Sequence, residues 1–235
     1  MESENTYQAL ANHLDSFPQG FPKTENQVEL SLLAYLFTPE EAEFALHLSQ
    51  YYEPLDNILV DTAISKSEAR AMIKAMGSKG LISVTQSAEG IALKLLPFIV
   101  GFYENQVFQM DETFAKLFED YYRQVQKQLL SYEPQFHRVV PVNETIKSQI
   151  EILPEDNVVA LLSSKKAYAV LDCVCRKQKL LIGEGCEHPL RMCLAMSDFP
   201  GAFDNAPGMD ALDLAGALAV LDEAAAAGLV HTVSN

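Results

Sequence analysis

Cys173-Val-Cys175-Arg176, then Cys186-Glu-His188-Pro189 and then Cys193 place all four cysteines of this 235-residue chain between positions 173 and 193. Thiolate is the ligand that zinc, Cu(I) and iron–sulfur clusters select, so four thiols in one short window point to a soft metal or a metal–sulfur cluster. Two disulfides are the competing arrangement. A 26.0 kDa chain with 49% hydrophobic residues, however, builds its own core without such staples. The intervals between the cysteines are one, ten and six residues. Structural zinc sites favour paired C-x2–4-C knuckles, and this sequence has no C-x-x-C. A 4Fe–4S cluster tolerates more varied spacing with four cysteines as its usual complement, so the spacing leans to iron–sulfur over zinc. Arg176, Lys177 and Lys179 lie beside the thiols in an otherwise acidic chain, as counter-charge for a cluster or as a solvated turn. His188 is read as a hydrogen-bond partner of a sulfur in preference to a ligand.

The motif also carries a resemblance. The stretches Gln27-Val-Glu-Leu-Ser-Leu-Leu33, Phe37-Thr-Pro-Glu-Glu41, Val100-Gly-Phe-Tyr-Glu104, Cys173-Val-Cys-Arg176, Gly185-Cys-Glu-His-Pro-Leu190, Met192-Cys193 and Ala227-Gly-Leu-Val-His231 span most of the chain. Together they resemble a family of 4Fe-4S ferredoxin-type iron–sulfur proteins of anaerobic bacteria and archaea. The resemblance implies that Cys173, Cys175, Cys186 and Cys193 hold an iron–sulfur centre, here read as a 4Fe–4S cluster. Arg176 and His188 are expected to tune its potential through charge and hydrogen bonds, and the role expected is electron transfer, docked on a protein redox partner or a larger oxidoreductase complex. Members commonly continue past the segment equivalent to 228–235 into further cysteines or a ferredoxin-like domain. This sequence stops at Asn235, so a relay of several clusters is not expected within it.

Which elements would position these residues? If Cys173 ends a strand begun at Ala167-Tyr-Ala-Val-Leu171, a two-residue step puts Cys173 and Cys175 on one side of it. Residues 176–185 then form a loop that swings Cys186 back. A Gly/Pro/Asp/Asn-rich surface turn covers 197–210, followed by an Ala/Leu helix over 211–227 and an edge strand over 229–233. Short strands are expected at 138–142 and 149–153, and a helix from Pro154 through Leu162. Pro134 marks a boundary, giving a first domain over 1–133 and a cysteine-bearing domain over 134–235.

The first domain reads as helices with caps. Helices are expected over 6–17 and 28–37, and Thr38-Pro-Glu-Glu41 is a helix start with Thr as N-cap and Pro in the first turn, the helix running to about residue 52. Pro54 opens a short helix, Ser65 caps one over 66–76, and strands at 81–85 and 91–95 form a hairpin. That order is the order of a winged helix-turn-helix. An apolar helix or interface segment is expected over 98–110. Asp111 then caps a long helix to about residue 130, whose apolar stripe requires a partner, either this domain or a second subunit in a homodimer. The fold class expected is α+β.

The composition sets limits. With 17 basic against 32 acidic residues the formal charge is −15. That opposes general affinity for nucleic acid and docking on anionic membranes, although Lys66, Arg70, Lys74 and Lys79 make one helix locally basic. No apolar run approaches the ~20 residues of a membrane helix, and no secretory signal opens the sequence, so a cytoplasmic protein is expected. There is no G-x-x-x-x-G-K-[ST], H-E-x-x-H or G-x-S-x-G. A centre ligated by four thiolates has no open position for substrate, so no stand-alone enzyme is expected. The alternatives to an electron-transfer accessory are a redox-sensing winged-helix transcriptional regulator and a structural zinc module.

Overall fold

The computed structural model describes residues 2–60, 62–133, 137–139 and 158–234, a mixture of helices and antiparallel sheets that places the chain in the α+β class. The chain divides into two compact units, Met1–Pro134 and Gln135–Asn235.

In the first unit, helices α1 (Glu2–Asp15), α2 (Val28–Leu36) and α3 (Pro39–Ala45) precede β1 (Glu53–Pro54) and α4 (Leu55–Ile58). Then come α5 (Lys66–Ser78), β2 (Ile82–Ser87) and β3 (Gly90–Leu95). Both sequence-legible helix starts are complete capping boxes. Thr38 accepts the Glu41 N–H while Glu41 accepts the Thr38 N–H, and Ser65 and Glu68 do the same for α5. Two of the donors that a helix start leaves unpaired are thereby satisfied at each helix. α3 stops at Ala45, well short of residue 52, because the following chain is recruited to the sheet. Ser49 offers its carbonyl to the Leu95 N–H, and Glu53 pairs with Leu93. The three strands lie in the order β1-β3-β2.

The apolar run over 98–110 is not one helix. Extended backbone at Ile99 and Val100 interrupts it, and only Tyr103–Asn105 (α6) and a 3-10 turn, Gln106–Phe108, are regular. Its apolar side chains nevertheless go inward. Phe98 meets the rings of Phe21, Phe102, Tyr103, Phe118 and Tyr121 at centroid distances of 4.9–6.2 Å. Phe118 and Tyr121 belong to α7 (Glu112–Leu129), capped by the Asp111 carboxylate on the Phe114 N–H. The apolar stripe of α7 thus finds its partners inside its own unit and gives no reason to invoke a second subunit.

Glu104 follows Tyr103 on α6, its carboxylate accepting the Gly101 N–H at 2.6 Å. Burial raises its pKa to about 7. The folded unit therefore holds a proton that the unfolded chain releases near the ordinary carboxyl pKa, and stability falls as pH rises from about 4.5 through 7. Glu104→Gln, neutral throughout, is expected to flatten that fall. It should match the wild type at pH 4 and exceed it at pH 8 by up to about 3 kcal/mol. Urea unfolding followed by tyrosine near-UV circular dichroism at the two pH values checks this.

In the second unit, β4 (His137–Val139) pairs antiparallel with β8 (Thr232–Ser234). β5 (Ala167–Leu171) lies between β6 (Cys193–Ser197) and β7 (Asp210–Leu212), also antiparallel. Helices α8 (Val158–Ser163) and α10 (Leu214–Ala226) cover the sheet, and Val158, Leu162, Tyr168, Ala217 and Leu221 form the core. The Tyr168 hydroxyl donates to the Leu162 carbonyl at 2.7 Å, so its polar end is satisfied within that core. The strand expected over 149–153, the helix start at Pro154 and the boundary residue Pro134 lie outside the described residues. Residues 210–212 form a strand, not helix, because they pair with β5. Asp213 then caps α10, accepting the Gly216 N–H at 2.7 Å.

Candidate metal centre

The chain from the end of β5 to the first residue of β6 carries every proposed ligand. β5 ends at Leu171, and Cys173 is the N-cap of a further helix, α9 (Val174–Leu181). This corrects the expectation that Cys173 and Cys175 share one side of a strand with a ten-residue loop beyond. The sequence Val-Cys-Arg-Lys-Gln-Lys-Leu-Leu is dominated by straight-chain residues that lose little freedom in a helix. The pair therefore sits at a helix N-terminus, where unpaired N–H groups and the helix dipole favour negative charge.

Cys193 comes to the same place by a different route. It opens β6 directly opposite Leu171, and the Cys173 N–H donates to the Leu190 carbonyl at 2.8 Å. The outcome is that the Cys175 and Cys193 thiols both hydrogen-bond the Cys173 sulfur. Those bonds, the Arg176 N–H and the Arg176 guanidinium hold the Cys173 thiol far below its ordinary range. Its proton-donating neighbour Cys193 is pushed up by that same hydrogen bond, by burial and by the adjoining negative charge. Negative charge is thus favoured on Cys173 and disfavoured on Cys193, the unequal sharing of protons expected of closely spaced thiols. Cys173 and Cys193 are half-buried, Cys175 and Cys186 are exposed, and all four are free thiols.

Arg176 holds the following loop through Nη1, which donates to the Pro189 carbonyl at 2.8 Å. That loop, residues 182–192, bears Cys186 and His188, and both side chains are exposed. Arg191, which sequence reasoning passed over, fastens the end of the loop. Its Nη1 lies 3.1 Å from Asp172 and its Nη2 lies 2.6 Å from Asp210. Each of these acids is 19 residues away in sequence, on opposite sides. Arg191 therefore couples the start of the cysteine loop to β7.

Do these residues fit a metal–sulfur group? Among the described residues no three His, Cys, Asp or Glu side chains are arranged to hold a single metal ion. The donor types suit such a group although they are not gathered into a single-ion site: Cys175 and Cys193 interact with Cys173 at a helix N-terminus beside an arginine, and Cys186 lies on the loop that this arginine holds. Cys173, Cys175 and Cys193 are brought together, whereas Cys186 and His188 stand on the loop outside that trio.

No protein-family model matches the chain, and neither a curated protein nor a solved structure is significantly similar to it.

Proposed function

We propose that this chain is an iron–sulfur protein of anaerobic metabolism that passes electrons as an accessory to a larger oxidoreductase, in the cytoplasm. One observation supports the reading: the side chains of Cys175, on a helix turn, and Cys193, on a strand, both interact with that of Cys173 at the helix cap. Cys186 completes the ligand set from the loop. A bound 4Fe–4S cluster would supply one-electron chemistry there. The chain's own residues do the rest. The N-terminus of α9 and Arg176 favour negative charge on the sulfurs, Arg176 fixes the loop at Pro189, and Arg191 anchors that loop to Asp172 and Asp210. With all four thiols engaged there is no open position for a substrate, which supports a carrier over a stand-alone enzyme.

The first unit is read as a winged helix. Helix α3, strand β1, helices α4 and α5 and the β2–β3 hairpin follow in that module's order, and the sheet order β1-β3-β2 supports the reading. Its charge favours protein docking over DNA. Lys66 pairs with Asp56, and Lys79 is drawn to Glu41 and the Leu36 carbonyl. Arg70 and Lys74 are then the exposed cations of α5, against the roughly six to ten phosphate contacts of a typical DNA-binding protein.

The test is iron, zinc and acid-labile sulfide on anaerobically purified protein. About four irons and four sulfides per chain are expected, with visible absorbance that bleaches on reduction. Stoichiometric zinc without sulfide would replace the redox role with a structural one. Neither metal would overturn the reading of the four cysteines.

A further inference from the structure

Strand β2 (Ile82–Ser87) is an edge of its sheet: in the order β1-β3-β2 no described strand pairs with its outer side. Sheets protect such edges with short strands, proline or charge, because a row of unpaired main-chain groups is a template for another strand. The opposite edge, β1, follows that rule, with one glutamate and one proline as its whole length. β2 does not. Its six residues, Ile-Ser-Val-Thr-Gln-Ser, include neither a charge nor a proline, and Val84, Thr85 and Gln86 are exposed.

The ladder fixes which groups face outward. Ser87 pairs with Gly90 across a two-residue turn, and the Leu96 N–H donates to the Leu81 carbonyl. Residues 81, 83, 85 and 87 therefore exchange hydrogen bonds with β3, while Ile82, Val84 and Gln86 turn their N–H and C=O groups to the free side. That edge is self-complementary. A second β2 laid antiparallel, with the two-fold axis at Val84, sets Val84 against Val84 and Ile82 against Gln86. Within the strand this is the register that pairs all three outward residues. Val84, 44% exposed, would then lie about 5 Å from Val84 of the second copy and lose its contact with water.

The charges agree with a second copy as the occupant. Each chain carries −15, and an uncharged strand is where two such chains approach with least repulsion. The antiparallel register also carries Glu89, at the hairpin tip, towards the α5 end of the other copy's strand. There Lys74 is an exposed cation one turn before the helix ends.

We propose that this chain forms a two-fold homodimer by pairing β2 with β2 of a second copy, joining two three-stranded sheets into one of six. The pairing is isologous, so it closes and does not propagate. It uses no residue of the metal centre and stands apart from the iron–sulfur reading.

The test is sedimentation equilibrium of the full chain at about 0.15 M salt, where repulsion beyond roughly 8 Å is screened. A reversible dimer with a Kd of about 1–100 µM is expected, since one pair of short strands is smaller than a standard interface. Val84→Lys and Val84→Glu each set like charges opposite one another at the axis and should weaken association at least about tenfold. Mixed in equal amounts they should restore it as a heterodimer, with far-UV circular dichroism unchanged throughout. Amide exchange tests the register without a substitution. Raising the wild type from about tenfold below to about tenfold above its Kd should slow exchange at Ile82, Val84 and Gln86 and leave Ser83 and Thr85, already bonded to β3, as they were. A dimer that survives Val84→Lys, or exchange at Ile82, Val84 and Gln86 that ignores concentration, would overturn the proposal. A wild type that stays monomeric would also overturn it and leave an extended segment of another protein as the occupant of this edge.

Discussion

Phe98→Ala is expected to cost the first unit about 3–5 kcal/mol, the usual range for deleting a fully buried aromatic ring. Phe98 is 2% exposed, and its ring is the common neighbour of Phe21, Phe102, Tyr103, Phe118 and Tyr121. Several of these contacts are edge-on, the geometry in which the positive rim of one ring meets the negative face of another. Its removal leaves a void bordered by rigid rings on α7 and on the segment before α2, which cannot collapse cheaply. Phe98→Leu, which keeps most of the volume, should cost much less, and the gap between the two measures the cavity term. Eight of the nine tyrosines lie in this unit, so near-UV circular dichroism during urea unfolding reads the transition directly. A loss below about 1 kcal/mol for Phe98→Ala would mean that the ring cluster does not organise the unit.

Phe98 also shows how far sequence reasoning reaches. Its burial was legible from the apolar run, but its conformation was not, since an apolar run without period does not separate helix from irregular buried chain. Local chemistry was read more faithfully. Thr38 and Ser65 each form the capping box that their spacing with Glu41 and Glu68 requires, and Ser87-Ala-Glu-Gly90 turns the hairpin with Gly90 at positive φ. The cysteines divide along the same line. Their chemical type and crowding were plain, yet a two-residue interval fits one side of a strand as readily as the first turn of a helix. The composition of residues 174–181 favours helix, and that signal was outweighed by the apparent strand before it. Arg191 was invisible for a stronger reason. Arg191 acquires its role from two acids on opposite sides of it in sequence. Only the fold brings such residues together.

The cysteine motif is tested most cleanly at Cys173, because there the fold and the metal make opposite demands. As the N-cap of α9, Cys173 occupies a position where serine is among the preferred residues, its oxygen accepting an N–H of the first turn. The main-chain bond from Cys173 to Leu190 is untouched by a side-chain change. Cys173→Ser should therefore leave the far-UV spectrum intact and raise stability by as much as about 1 kcal/mol in metal-free protein. Toward a soft metal the same change is severe. A hydroxyl is a poor substitute for thiolate, and it takes away the sulfur that both Cys175 and Cys193 address. Iron and sulfide are expected to fall to background in Cys173→Ser purified anaerobically beside the wild type. Full iron and sulfide retention would remove Cys173 from the ligand set. A variant that lost both its fold and its metal would show that this position serves the helix through something other than capping. Only the combination of an intact, slightly stabilised fold and an absent cluster identifies Cys173 as a residue kept for its sulfur.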